Sequence, residues 1–272
     1  MQLSSVEVLA FQTKVLKYFK DNGRDLPWRK TSDPYHILVS EVMLQQTQVD
    51  RVIPKYLHFI RQFPGIKALA RAPLADVLFA WSGLGYNRRA VYLQKACQEV
   101  LERFGGVLPR EQKDLETLPG IGRATSASIS AFAFNQPTVF IETNIRSVFI
   151  HEFFADRKKV DDEQILPLVE QTLDKKNAKR WYNALMDYGA HLKSLYGNPS
   201  RHSLHHTKQL TFAGSDRQIR GQILITLLSD RKIQIVTLAK KLKVKVSRLV
   251  PILNKMSKEK LILQSSGVIS IG

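Results

Sequence analysis

Helical periodicity runs through most of this chain, and strand-like alternation is nearly absent before its last dozen residues; that contrast limits the fold more than any other feature. Apolar residues recur at helical spacing near 50–63, 74–81, 87–104, 110–117, 123–134, 143–155, 161–173 and 177–194. In "TSDPYHILVSEVMLQQTQV", Asp33 is placed to cap a helix with Pro34 at its first position. The opening "MQLSSVEVLAFQTKVLKYFKDNGR" reads as an amphipathic helix and not as a signal peptide. No apolar stretch approaches the ~20 residues that a bilayer span needs. The expectation is a mainly α protein of the cytoplasm, nucleoid-associated in a prokaryote, with no membrane partner.

After Leu195 the text changes. "YGNPSRHSLHHTKQLTFAGSDRQ" is rich in Gly, Pro, Ser and His and reads as a connector, so a linker is expected over 197–214. His202, His205 and His206 lack an acidic or cysteine neighbour there, which favours a solvated loop over a metal site. Beyond the linker come "RQIRGQILITLLSD", "IVTLAKKL", "KVSRLVPILNKMSKEK" and a β-like close, "LILQSSGVISIG". Helix, helix-turn-helix and hairpin is the order of a winged helix, expected over 215–272.

Charge suggests the partner. Forty-one Lys and Arg against 24 Asp and Glu leave a formal +17, which points to a polyanion, with nucleic acid the default. The 215–272 segment alone has twelve Lys and Arg and three acids. Lys240, Lys241, Lys243, Lys245 and Arg248, around its helical turn, suit phosphates. The single Cys97 sits at helical spacing with Leu93, Val100 and Leu101, as a buried thiol would, and one cysteine excludes an internal disulfide and any cysteine-ligated zinc or iron-sulfur site.

The strongest local motif is "LETLPGIGRATSAS". A helix ends near Leu118, residues 119–122 turn tightly with Gly120 and Gly122 supplying permissive dihedrals, and a helix rich in small residues begins. The free N–H groups at its start, over Gly122, Arg123 and Ala124, would face a phosphate, as a helix-hairpin-helix does when it holds a DNA backbone.

"LPWRK" (26–30), "SEVMLQQTQV" (40–49), "WSGLGYNRRA" (81–90), "LPGIGR" (118–123) and "MDYGA" (186–190) occur in one order and spacing. Together they closely resemble the MutY-type adenine DNA glycosylases of the helix-hairpin-helix superfamily, over roughly residues 5–195. The resemblance implies a two-lobed glycosylase body over 1–196: a six-helix lobe at about 27–135 with the hairpin at 118–123, and a second helical lobe from 1–26 plus 136–196. It implies a substrate of double-stranded DNA carrying a mispair or lesion, bound by a monomer.

Breaking an N-glycosidic bond to a purine needs protonation of the departing base and stabilisation of a cationic sugar, so two carboxyl groups in opposite protonation states suit the task. By resemblance Glu41 is the acid and helps activate water, and Glu142, at the end of the apolar run in "FIETNIRSV", is the carboxylate facing the sugar. Glu41 is expected to have a raised pKa; Glu142 must stay ionised, with Asn144 beside it. Gln46 and Tyr86 match the residues that enter the duplex when the base flips out, and Trp28, Arg29 and Asp187 lie at or near the base pocket.

Departures from the family pattern matter as much. Glu142 stands where relatives carry aspartate, one methylene shorter, and a displacement of ~1 Å can cost on the order of 100-fold. Ala124 occupies the Schiff-base lysine position of bifunctional relatives such as endonuclease III, so a monofunctional enzyme is expected. Lys193, Ser200 and Ser203 fall where the first three cysteines of an iron-sulfur cluster would stand. No cofactor is expected, though a monovalent cation at the hairpin 118–123 stays open. The winged helix is expected to stand in place of the C-terminal domain that inspects 8-oxoguanine in MutY enzymes. The alternatives are a thymine or uracil mismatch glycosylase on the same fold and a non-catalytic lesion sensor.

Overall fold

The computed structural model describes residues 1–206 and 211–272. The first half contains α1 (Ser5–Asn22), a 3-10 turn at Pro27–Arg29, α2 (Pro34–Leu44), α3 (Val49–Gln62), α4 (Ile66–Arg71), α5 (Leu74–Trp81) and α6 (Arg88–Arg103). It continues with α7 (Gln112–Glu116), α8 (Arg123–Phe134), α9 (Thr143–Phe153), α10 (Asp162–Thr172), α11 (Ala178–Tyr196) and a 3-10 turn at Pro199–His202. Then follow α12 (Asp216–Asp230), β1 (Lys232–Gln234), α13 (Ile235–Leu242), α14 (Val246–Lys258), β2 (Ile262–Ser265) and β3 (Val268–Ile271). The mainly helical expectation holds. The periodic segments become helices within a few residues of the expected limits; α4, six residues long, is too short to show a period, and β1 too short to show alternation.

Helix starts follow local chemistry. Ser4 and Glu7 form a reciprocal capping box on α1, and Asp161 and Gln164 do the same on α10. Asp33 does receive the Tyr35 N–H at 2.8 Å at the start of α2. Among the described residues no helix is long and apolar enough to cross a membrane.

The chain packs as two units, and it crosses between them inside α2 and again inside the 118–123 hairpin. One unit comprises Met1–Ile37, Arg110–Glu116 and the described part of Ile121–Lys208. Its core centres on α9 and α11, with Phe11 of α1 edge-on to Trp181 (centroids 5.8 Å apart) and Phe140 against Tyr182 (4.3 Å). Residues 197–206, expected as a connector, are tied down here: Asn198 accepts from Ser200 N–H (3.1 Å) and from Ser147 Oγ of α9 (3.3 Å), and Val160 N–H donates to His202 O at 2.8 Å. The Ser147 hydroxyl of α9 and the main chain of Val160 do this from outside the segment, which a reading of the segment's own composition does not show. Residues 207–210 of the expected linker lie outside the described residues.

The other unit comprises Leu38–Pro109, Thr117–Gly120 and the described part of Gln209–Gly272. Its C-terminal part has winged-helix order, with an antiparallel sheet arranged β1-β3-β2 and a tight turn at Ser266–Gly267, both at positive φ. α12 packs on this sheet and on α5.

Candidate active site and DNA-contact surfaces

In the first unit, Glu142 is the N-cap of α9. Its backbone is extended (φ −123°, ψ 176°), so the carboxylate folds back over the helix start. Oε1 accepts the N–H groups of Asn144 (2.6 Å) and Ile145 (2.9 Å), and Oε2 accepts Asn144 Nδ2 at 3.1 Å. Burial pushes the carboxyl above its ordinary range, while the Ile145 N–H, the Lys193 ammonium and the Asn144 donors pull it down. Every one of these partners is a donor or a cation, which is the environment of an anion. Glu142 and Asn144, expected to work together, are thus brought together; Lys193, which donates to Asn144 Oδ1 at 2.8 Å, is a member of this site that sequence reasoning missed.

Arg29 and Asp187 also meet. Asp187, nearly inaccessible, receives Arg29 Nη1 and Nη2, both at 2.8 Å, together with Arg24 Nε (2.7 Å) and the Arg24 N–H (2.8 Å). Burial alone would raise this carboxyl, but the arginine donors outweigh it and hold it below the usual carboxylate range. The bidentate pair fastens the Pro27–Arg29 turn to α11, and Trp28 beside it is buried.

The hairpin divides between the units. Leu118 and Ile121 are buried anchors, and Gly122, Arg123 and Ala124 are exposed. The two glycines differ. Gly120 has φ +78°, and a Cβ there would lie 2.8 Å from Tyr92 Cβ; Gly122 has φ −92° and ψ 176°, which any residue adopts. Gly122 therefore does not need the dihedral freedom expected of it. It caps α8 without a side-chain acceptor, and the exposed Arg123 and Ala124 form the first turn of that helix.

In the second unit, Glu41 lies half-buried on α2 between the buried Ser40 and Val42. Arg89 closes the end of that helix: Nη1 donates to Val42 O (2.8 Å), Met43 O (2.9 Å) and Gln45 O (2.6 Å), and Nη2 to Thr47 Oγ1 (2.9 Å). Its guanidinium has a pKa lowered by burial to about 10 and also lies over Trp81 and Tyr86. Sequence reasoning gives Arg89 no role, although it stands inside "WSGLGYNRRA". Gln46 (φ 54°) and Tyr86 (φ 46°) both adopt the left-handed conformation and both line a cleft of about 950 Å³. Its other wall is α12, from which Arg217 Nη1 donates to Tyr86 Oη at 2.9 Å.

Lys240, Lys241, Lys243, Lys245 and Arg248 are all exposed. Lys241 pairs with Asp230, and Arg248 with Asp216 at 3.2 Å. Cys97 is buried, its thiol pushed up to about 12, far from a reactive thiolate. At the family's cluster positions, Lys193 is a hydrogen-bonded cation and Ser200 and Ser203 are buried hydroxyls, a donor set that does not fit an iron-sulfur cluster. His205 meets Asp161 at 3.3 Å, and no metal-binding cluster of His, Cys, Asp or Glu is found among the described residues.

The family model for HhH-GPD superfamily base excision DNA repair proteins matches residues 39–175, half of the chain. An adenine DNA glycosylase of Mycobacterium tuberculosis (strain H37Rv) is 32% identical over 239 residues, covering 79% of this chain and 77% of the relative. The chain belongs to the HhH-GPD superfamily, on its MutY-like branch. The adenine DNA glycosylase of Buchnera aphidicola subsp. Baizongia pistaciae is 36% identical over 193 residues, covering 70% of this chain and 55% of its own. The human adenine DNA glycosylase is 36% identical over 196 residues, covering 68% and 36%. The chain thus spans about half of the Buchnera protein and about a third of the human one. Among solved structures, a thermostable thymine-DNA glycosylase superposes with TM-score 0.60 at 24% identity, covering 67% of this chain and 86% of that one. An endonuclease III–DNA complex does so with TM-score 0.60 at 17% identity, covering 72% and 90%. These two show the fold.

Proposed function

We propose that this HhH-GPD protein is a monofunctional DNA glycosylase of base excision repair, hydrolysing the N-glycosidic bond of a flipped-out adenine mispaired with 8-oxoguanine or guanine. It acts as a cytoplasmic monomer on double-stranded DNA and uses no iron-sulfur cluster. Glu41 protonates the departing base, and Glu142 stays anionic beside the sugar cation. Gln46 and Tyr86 enter the duplex; Trp28, Arg29 and Asp187 support the base pocket, and the α8 start and the C-terminal lysines hold phosphates.

The observation that carries this reading is Glu142, a carboxylate that accepts three hydrogen bonds at the start of α9, in a chain whose relatives are named adenine DNA glycosylases. The same cap favours a second reading: capping α9 is a sufficient structural duty for Glu142, which suits a non-catalytic lesion sensor.

Single-turnover cleavage of duplexes carrying A opposite 8-oxoguanine, A opposite G, T opposite G and U opposite G, with alkali to reveal abasic sites, separates these readings. Cleavage is expected on the adenine substrates alone. Glu41→Gln and Glu142→Gln should each lose about 100-fold or more while still binding DNA. Cleavage of T or U opposite G would move the assignment to a mismatch glycosylase. Binding without scission on every duplex, unchanged by Glu142→Asp, would establish the sensor.

A further inference from the structure

We propose that Lys193 is a positioning residue for Glu142, acting through Asn144: it sets the direction of the amide that holds the carboxylate. The inference rests on the catalytic reading of Glu142 and adds a residue to it.

The geometry is a relay across two helices. Lys193 Nζ donates to Asn144 Oδ1 at 2.8 Å, and Asn144 Nδ2 donates to Glu142 Oε2 at 3.1 Å. An ammonium only donates, whereas a side-chain amide has one accepting and one donating end. Lys193 therefore dictates that the oxygen of Asn144 faces α11 and its NH2 faces Glu142. With the amide reversed, an oxygen would point at the carboxylate, and Oε2 would lose its donor and meet a repulsive dipole. The backbone N–H groups of Asn144 and Ile145 hold only Oε1, so the relay decides where Oε2 points.

The approach of the helices makes the relay short. Gly189, one turn before Lys193 on the same face of α11, comes so close to α9 that a Cβ there would lie 2.4 Å from Asn144 O. Capping α9 does not require this cation, since a neutral cap with its backbone donors is sufficient. Half-burying an ammonium is costly unless it is paired or hydrogen-bonded, and here Asn144 Oδ1 and the Glu142 charge offset that cost. Burial lowers the Lys193 pKa and Glu142 raises it again, and Lys193 in turn is one of the groups holding the Glu142 carboxyl down. Arg146 on α9, which also acts on Lys193, is bound to Asp162 on α10 at 2.6 and 2.7 Å. Of the two cations, Lys193 is the one that acts on Glu142.

The test uses the full chain, with Lys193→Met, Lys193→Arg and Glu142→Gln variants. Single-turnover excision from an A opposite 8-oxoguanine duplex is followed across pH, with DNA affinity and thermal unfolding measured in parallel. Lys193→Met should slow excision about tenfold or more at neutral pH, consistent with removal of one charge-assisted hydrogen bond, while DNA affinity stays within about twofold. The acid limb of the rate profile, which reports ionisation of Glu142, should move to higher pH, and Lys193→Arg should restore both rate and limb in large part. Should Lys193→Met fail to fold, Lys193→Gln is read in the same way. An unchanged rate and limb in Lys193→Met, with Glu142→Gln inactive, overturns the role of Lys193 and leaves that of Glu142 standing. A slower rate with an unmoved limb and a fall in stability makes Lys193 merely structural. Full activity in Glu142→Gln removes the catalytic reading, and this inference with it.

Discussion

Asp187 and Gly189 stand two residues apart on α11 and do opposite kinds of work. Asp187 takes four donors from Arg24 and Arg29 in near-complete burial. Asp187→Asn removes the charge that the half-buried Arg24 and Arg29 guanidinium groups share, so chemical denaturation at neutral pH should show a loss of about 3 kcal/mol, the low end for a broken buried pair because Arg24 is partly exposed. The pH dependence has a definite sign. Because the folded carboxyl is held below its ordinary value of 3.8, its contribution is present above that value and disappears as pH falls through the lowered one; wild type and variant should converge in strong acid. Gly189 is needed for space. Gly189→Ala would drive a methyl into Asn144 O, cost roughly 1–3 kcal/mol by overpacking, and displace the helix start that carries Glu142, so stability and excision rate should fall together. At this scale the sequence showed near neighbours more clearly than distant partners. Glu142 and Asn144 are two apart and their association was readable; Lys193 is 49 positions further on, and only the α9–α11 packing brings it in. Arg89 was hidden in the same way, since its partners are main-chain carbonyls of α2, which no residue type announces.

Helices were the most legible level, because their periodicity and caps are local properties. The hairpin shows where legibility ends: its two glycines look equivalent in "LPGIGR", yet only Gly120 has the left-handed dihedral and the close approach to Tyr92. The helix-turn-helix around α13 and α14 shows a similar division. Lys240, Lys243 and Lys245 project from the turn, whereas Lys241 and Arg248 have acidic partners in the same unit, which arise from the fold and not from the spacing. If this turn holds phosphates, replacing Lys240, Lys243 and Lys245 together by Gln should reduce the slope of log affinity against log salt by roughly 0.9 for each phosphate that is no longer neutralised. An unchanged slope would make the surface a protein-docking face.

For the molecule as a whole, composition and motif order pointed to a basic, helical, DNA-directed chain, and the family match bears out the helix-hairpin-helix assignment. The pairing of segments into units was the least readable, because hydrogen bonds such as that of Arg217 with Tyr86 join residues 131 apart. That interleaving has a consequence for biosynthesis. With residues 38–109 sharing a unit with α12–α14, and residues 1–37 sharing one with α8–α11, neither unit has all its partners while the early part of the chain is leaving the ribosome. Nascent chains paused after α6 should therefore expose apolar helix faces and attract chaperones, a burden that a protein made of consecutive, self-contained modules does not carry.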